Sequence, residues 1–287
     1  MFSRQLTRLA TSPSPLRATR ALHSSSRRLN STQETPVTPD GTPITETNRA
    51  EAVKKRFWKT VNVKQKDDKF TVNLDGRPLK TPDGRTLALP KSKPLFAGLI
   101  AAEWEFQETL LKPFALPMTS IASRALDAMA EQQTRTEVCE SLLKYLDTDT
   151  ICYQHDEPPP LVNLQTRHWD PLLDWVQSSF DVRIERFASI LPSPQPVDSK
   201  NKLREVISKF DLWELAAMER VTYATKSFII ALALVKRHIN VDEAALASHV
   251  EVNSQIERWG EVEDTHDVDF HDIRRQLGSA ACLLSSQ

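Results

Sequence analysis

Glycine is scarce in this chain, with six residues among 287, and no two of them lie close together. The GxGxxG fingerprint and the Walker A loop both need closely spaced glycines, because the backbone must approach the phosphates. These two routes to nucleotide binding are therefore excluded. The sequence also lacks a GxSxG motif, which excludes the nucleophile elbow of that class of hydrolase.

Cysteine is also rare, since only Cys139, Cys152 and Cys282 occur and none belongs to a CxxC pair. This pattern indicates a reducing compartment and argues against a disulfide framework or a zinc site. Each cysteine is predicted to be a small buried hydrophobic side chain. Long apolar runs are missing too. The longest covers residues 228–235, whereas a membrane span needs about 18 residues, so we expect a soluble protein with no integral membrane segment.

Acidic residues are absent from the first 33 positions, which contain six arginines and many serine, threonine, leucine and alanine residues. This composition is typical of a mitochondrial transit peptide, and a basic disordered tail is the alternative. Removing those six arginines from the 37 basic residues leaves 31 against 38 acidic ones, a net charge of about −7. We expect no nucleic-acid partner, because an acidic protein repels phosphate.

The hydrophobic spacing changes from strand-like to helical along the chain. Phe57, Val61 and Val63 fall on one side of a first predicted strand, and residues 57–89 as a whole predict a small antiparallel meander. The fold class is therefore α+β, a small antiparallel β-rich N-terminal domain followed by a larger α-helical bundle domain. The predicted divisions are residues 1–48 (transit peptide and disordered linker), 49–115 (β-rich domain with one helix) and 116–287 (helical domain).

The helix of the N-terminal domain is predicted to have two apolar sides, and such a helix lies between two layers or offers one side to a partner. The first side comprises Leu95, Leu99, Ala102 and Phe106, and the second comprises Ile100, Trp104 and Leu111. Trp104 and its neighbour Glu103 are candidates for an interface, because tryptophan is enriched in binding hot spots. Burial of Trp104 in the core is the alternative.

Two long helices are predicted in the C-terminal part. One begins at a capping box formed by Asp211 and Glu214 and continues through the apolar run at residues 228–235 as the central core helix. The other covers residues 243–259, with Trp259 on its inner side.

A cluster of charged residues surrounds the end of the second of these helices. Glu257, Glu261 and Glu263 accompany Arg258 and Trp259. Such a run is either a solvated face or an acidic surface with an aromatic neighbour, which suits recognition of a basic protein surface.

A metal site is the alternative for the segment that follows. Two histidines and three carboxylates fall within residues 266–272. A metal-dependent hydrolase would use His266, Asp269 and His271 as ligands. The spacing is poor, because two residues five apart on a helix lie about 140° from each other. The preferred interpretation is a solvated helix entry with aspartate caps, so we expect neither a metal nor a cofactor.

Six motifs in order carry a family resemblance. They are Arg56-Phe57-Trp58-Lys59, Leu74-Asp75-Gly76-Arg77-Pro78-Leu79-Lys80-Thr81-Pro82, Ala101-Ala102-Glu103-Trp104, Leu116-Pro117-Met118-Thr119, Trp169-Asp170-Pro171-Leu172-Leu173 and Gln255-Ile256-Glu257-Arg258-Trp259-Gly260. Over residues 56–284 the chain resembles the mitochondrial assembly chaperones that act on the alpha subunit of the ATP synthase catalytic head.

The resemblance implies a monomeric, non-enzymatic protein of the mitochondrial matrix. Its partner would be the unassembled alpha subunit, which it would protect from aggregation until the beta subunit replaces it. The family's Glu-Trp pair corresponds to Glu103 and Trp104. Its C-terminal acidic determinants correspond to Glu257, Glu261 and Glu263, beside Arg258 and Trp259. A permanent structural subunit of a matrix complex is a further possibility.

Overall fold

The computed structural model describes residues 55–188, 194–263 and 265–286. Within them a four-stranded antiparallel sheet is followed by a set of helices, as the predicted α+β class requires. The predicted transit peptide and linker at residues 1–48 lie outside the described residues. The predicted division at residue 115 stays a prediction.

Strand β2 organises the sheet. The strands are β1 Val61–Lys66, β2 Lys69–Leu74, β3 Arg77–Pro78 and β4 Ala88–Pro90. Strand β1 pairs along one edge of β2, whereas β3 and β4 share the other edge. The turn between β2 and β3 contains Asp75 and Gly76, both with positive φ (46° and 82°). This is the left-handed backbone that a two-residue hairpin turn requires.

The prediction for the first strand needs correction. Phe57 precedes β1 instead of belonging to it, and its ring is 74% exposed. Val63 pairs with the buried Val72 but remains exposed, because β1 is an edge strand. The buried residue of this segment is Trp58, whose indole Nε1 donates to the carbonyl of Trp104 at 3.2 Å. Tertiary contact with the following helix therefore decides which side of the segment is inside.

Eleven α-helices are present in the described residues. They are α1 Pro94–Glu105, α2 Pro117–Asp127, α3 Gln132–Asp147, α4 Pro159–His168, α5 Asp170–Phe180, α6 Val197–Ser208, α7 Leu212–Thr225, α8 Phe228–Val235, α9 Val241–Ser248, α10 Val250–Trp259 and α11 Thr265–Leu284. Every residue of α8 is buried, and α2, α3 and α11 pack on α7. None of these described helices has the length and apolar character that a membrane crossing demands.

The predicted central helix is two helices. Its capping box is confirmed, because Asp211 and Glu214 exchange backbone hydrogen bonds at the start of α7. The chain leaves the helical conformation at Lys226, where φ is 57°. Ser227 then caps α8 by accepting a hydrogen bond from the backbone N–H of Ile230 at 3.0 Å. A strong N-cap thus begins a new helix inside an uninterrupted apolar pattern.

The predicted helix at residues 243–259 is likewise divided, at His249, between α9 and α10. Trp259 was predicted to face inward, and this is wrong, because its side chain is 70% exposed. The buried residues of α10 are Val250 and Ser254. Trp259 follows Ser254 by five positions, which places it about 140° away around the helix.

Candidate partner-binding surface

The end of α10 presents an aromatic ring among exposed carboxylates. Trp259 is the last residue of the helix, and the guanidinium of Arg258 lies 5.0 Å from its ring centroid. Glu257, Glu261 and Glu263 are all exposed around it. The structure therefore brings the five C-terminal candidate residues into one solvent-facing region, where an indole and several negative charges meet.

The chain turns sharply after this helix. Gly260 has φ of 88°, a conformation that side chains rarely adopt, and its N–H donates to the carbonyl of Ile256 at 2.8 Å. The backbone N–H of Val262 then donates to Nδ1 of His266 at 2.9 Å. The segment between α10 and α11 is thus tied to the first turn of α11.

Three exposed apolar side chains between the end of α10 and the first two turns of α11 escaped prediction. Val262 is 58% exposed, Val268 is 69% exposed and Phe270 is 45% exposed. The guanidinium of Arg274 lies over the Phe270 ring, 3.5 Å from the ring centroid. The sequence spacing indicates the exposure of Val268. This residue precedes the buried Ile273 by five positions, which places it about 140° away from the buried side of α11. We call residues 257–263 and 265–270 the α10–α11 corner.

A cavity of about 310 Å³ lies beside this corner, between α4 and α10. It is lined on the α10 side by Ser254, Arg258 and Trp259, and on the other side by Pro158 and Leu161. The exposed indole therefore borders a recess as well as the acidic surface. An aromatic ring next to a recess is the kind of feature that anchors protein interfaces.

Glu103 and Trp104 lie elsewhere, at the end of α1, and both make internal contacts. The carboxylate of Glu103 accepts hydrogen bonds from the backbone N–H groups of Met118 and Thr119, at 2.6 and 2.9 Å, at the start of α2. Burial raises the pKa of Glu103, although these bonds oppose the shift. Trp104 is 9% exposed, and its Nε1 donates to the Thr119 hydroxyl at 2.9 Å. The pair joins α1 to α2, and its predicted partner-binding role stays a prediction.

Exposed aromatic residues also occur in the connection between α1 and α2. Phe106 is 82% exposed and Phe114 is 69% exposed. The backbone around them is held in place, since Gln107 is buried and its Oε1 accepts from the N–H of Lys112 at 2.8 Å. Of the two apolar sides predicted for α1, the one that contains Phe106 is largely accessible, whereas Ile100 and Trp104 face the core.

The three residues of the metal alternative are engaged separately. His266 accepts from Val262, whereas Asp269 Oδ2 lies 3.0 Å from Nε2 of His249. His271 is exposed, and its ring lies edge-on to Phe270. Across the described residues, no group of three or more histidine, cysteine or acidic side chains is placed to hold a metal ion. The geometry gives the hydrolase alternative no support.

Comparison with known proteins gives concordant results. The family described as ATP12 chaperone protein matches residues 55–177. "Protein atp12, mitochondrial" of Schizosaccharomyces pombe is 33% identical over 237 residues, which cover 80% of this chain and 81% of the relative. "Protein ATP12, mitochondrial" of Saccharomyces cerevisiae is 30% identical, with 85% of this chain and 87% of the relative covered.

Solved structures agree with these sequence relatives. The crystal structure of Atp12 from Paracoccus denitrificans is 29% identical and superposes with a TM-score of 0.69 over 82% of this chain and 98% of that chain. A protein of Agrobacterium tumefaciens, described as a candidate chaperone, is 30% identical and superposes with a TM-score of 0.71, covering 81% and 85%.

Proposed function

The chain belongs to the ATP12 chaperone family, and from this premise we propose that it is a holding chaperone of the mitochondrial matrix. Its client is the unassembled alpha subunit of the ATP synthase catalytic head. It acts as a monomer and carries out no catalytic step. It keeps the client from aggregating until the beta subunit replaces the chaperone on the client surface.

The physical need for such a protein follows from the chemistry of subunit interfaces. A subunit that has not met its partner exposes apolar surface, and exposed apolar surface aggregates. A chaperone that covers this surface with moderate affinity prevents aggregation and still allows displacement by the native partner. Release then depends on competition and needs no nucleotide hydrolysis.

The observation that carries the proposal is the α10–α11 corner. Its exposed indole and the exposed side chains of Val262, Val268 and Phe270 match an apolar client surface. The surrounding carboxylates of Glu257, Glu261 and Glu263 are charge-complementary to a basic rim on the client. Rim charges of this kind direct orientation and association rate, while buried aromatic rings supply most of the affinity.

The test is capture of the client by the purified protein. The chain from Ala50 onward is immobilised and incubated with matrix extract, and bound proteins are identified by mass spectrometry. We expect unassembled alpha subunit without assembled ATP synthase. Co-purification of the complete enzyme would instead indicate a permanent structural subunit.

A charge-reversal variant locates the surface. Replacing Glu257, Glu261 and Glu263 by lysine is expected to abolish capture of the alpha subunit. The matched control replaces three exposed glutamates outside the corner by lysine. They are Glu131, directly before α3, Glu137 in α3, and Glu205 in α6. Equal capture by both folded variants would show that the corner does not hold the client.

A further inference from the structure

A groove between α2, α7 and α11 contains two arginines in different situations. Its volume is about 350 Å³. The polar side chains that line it are Ser120 and Arg124 of α2, Glu219, Arg220 and Tyr223 of α7, and Gln276 of α11. The groove lies outside the α10–α11 corner, and nothing in the proposed function so far requires it.

Arg124 already has a counter-ion in this groove. Its Nε donates to Oε2 of Glu219 at 2.8 Å and its Nη2 donates to Oε1 at 2.7 Å. Glu219 is only 6% exposed, and both of its oxygens are used. This forked pair is the geometry in which arginine binds a carboxylate most strongly.

Arg220 has no such partner. Its guanidinium is half-buried, and its Nη2 donates to the hydroxyl of Ser120 at 3.1 Å. Among the ion pairs found in the described residues, none includes Arg220. Burial lowers the pKa of Arg220, although the charge of Glu219 opposes the shift. A guanidinium withdrawn from water without a paired anion is costly, and an anionic ligand would offset that cost.

The nearby carboxylates are occupied by other donors. Asp272 of α11 accepts from Arg275 and from Gln276, and Arg275 donates in addition to the carbonyl of Phe114. Exposed apolar surface on the groove wall comes from Tyr223, which is 41% exposed, whereas Ile121 lines the groove but is only 1% exposed. The groove thus offers a donor fork with an accessible aromatic ring in its lining.

We propose that this groove binds a carboxylate of a polypeptide, with the guanidinium of Arg220 and the hydroxyl of Ser120 as donors. The planar fork of arginine matches the two oxygens of an acidic side chain, and the exposed ring of Tyr223 covers the methylene groups that carry it. Because the polypeptide in question is the client, this inference rests on the proposed function. A positive groove and an acidic corner on one chaperone would fix the orientation of the client.

The first test is a titration of ¹⁵N-labelled protein followed by the arginine Nε–Hε signals. The probes are the peptide acetyl-Ala-Glu-Ala-amide, its glutamine counterpart and inorganic phosphate. We expect the glutamate peptide to shift the Arg220 signal and the glutamine peptide to leave it unchanged. Phosphate that binds as well as the glutamate peptide would overturn the polypeptide assignment in favour of a small-anion site, and no shift with any probe would refute an anion site altogether.

Variants make the test specific. Arg220→Gln is expected to weaken glutamate-peptide binding at least fivefold, and Ser120→Ala less. The control is Arg204→Gln, which alters a half-buried arginine outside the groove, paired with Glu140 at 2.6 Å, and should leave peptide binding unchanged. If Arg220→Gln fails to fold, Ser120→Ala alone decides, because unchanged peptide affinity in that variant contradicts the assigned donor pair.

Client capture separates the two proposals. If Arg220→Gln and Arg204→Gln capture the alpha subunit equally well while reversal of the corner glutamates abolishes capture, the groove is not a client site and the proposed function stands. If the unaltered protein captures no client, the proposed function fails. The glutamate-peptide titration still decides in that case whether the groove binds carboxylates.

Discussion

Two tryptophans of this protein show that the same residue type has different roles at different positions. Trp104 packs against Trp58 with 5.0 Å between ring centroids and donates to Thr119, so three segments meet on its ring. The guanidinium of Arg258 lies over the ring of Trp259, and this side chain is 70% exposed. The first side chain contributes to folding, and the second is available for recognition.

Substitution of these two tryptophans by alanine should therefore have opposite effects. We expect Trp104→Ala to lower the free energy of unfolding by about 3–5 kcal/mol, because a large buried ring is removed. We expect Trp259→Ala to change it by no more than about 0.5 kcal/mol but to weaken client capture. Urea unfolding and capture at a temperature where both variants are folded supply the two readouts. A folded Trp104→Ala protein of unchanged stability that loses capture would instead place Trp104 in the interface.

At the scale of elements, the backbone N–H groups at the starts of α2 and α8 donate hydrogen bonds to side chains of other segments. Glu103 satisfies the first N–H groups of α2. The fully buried Asp149 accepts from the N–H of Ile229 at 2.9 Å, near the start of α8, and from the N–H of Ile151 at 3.2 Å. Helix α8 is therefore anchored by the connection that follows α3. These contacts replace water at helix ends that lie inside the protein.

The Asp149 contact makes stability depend on pH. Burial raises the pKa of Asp149 to about 6, from an ordinary value of 3.8, against the opposing effect of its hydrogen bonds. Between these values the folded protein binds a proton that the unfolded chain has lost, so stability from this group falls as pH rises. Relative to Asp149→Asn, the unaltered protein should lose about 2 kcal/mol between pH 4 and pH 7. Urea titrations at several pH values measure this, and a constant difference would contradict it.

At the scale of the whole molecule, the candidate surfaces lie on a body stabilised by a buried helical core. The candidate surfaces all adjoin helices that pack on α7, on α8 or on a helix next to these two. They are the α10–α11 corner, the exposed Phe106 and Phe114, and the Arg220 groove. A surface pre-organised in this way loses little conformational entropy when it binds. Binding and release can then proceed without a conformational cycle driven by nucleotide.

Release of the client from such a pre-organised surface should therefore depend on competition by the beta subunit. We expect addition of purified beta subunit to displace the chaperone from the alpha subunit in proportion to beta concentration. Addition of ATP to the chaperone–alpha complex without beta subunit should release at most a small fraction. Size-exclusion chromatography of the mixtures measures both outcomes. Release by ATP alone, to the extent produced by beta subunit, would contradict competitive displacement.

The sequence by itself determined the α+β class, the small antiparallel sheet near the start of the described residues and the capping box at Asp211. These features depend on local chemistry, namely alternation, turn residues and caps within a few positions of one another. The family resemblance was also present in the sequence, because its motifs are contiguous segments. Glu257, Glu261 and Glu263 were identifiable as neighbours for the same reason.

Only the tertiary structure decided which side of each element faces inward. The break at Lys226 depends on Ser227 and on Asp149, almost 80 positions away, and Trp259 borders a cavity whose other side is the start of α4. The Arg220 groove joins residues from three helices, and its most distant members in sequence, Ser120 and Gln276, are 156 positions apart. Hydrophobic periodicity indicates which side chains share one face of an element. Whether a side chain is buried, paired or without a partner depends on segments that only folding brings together.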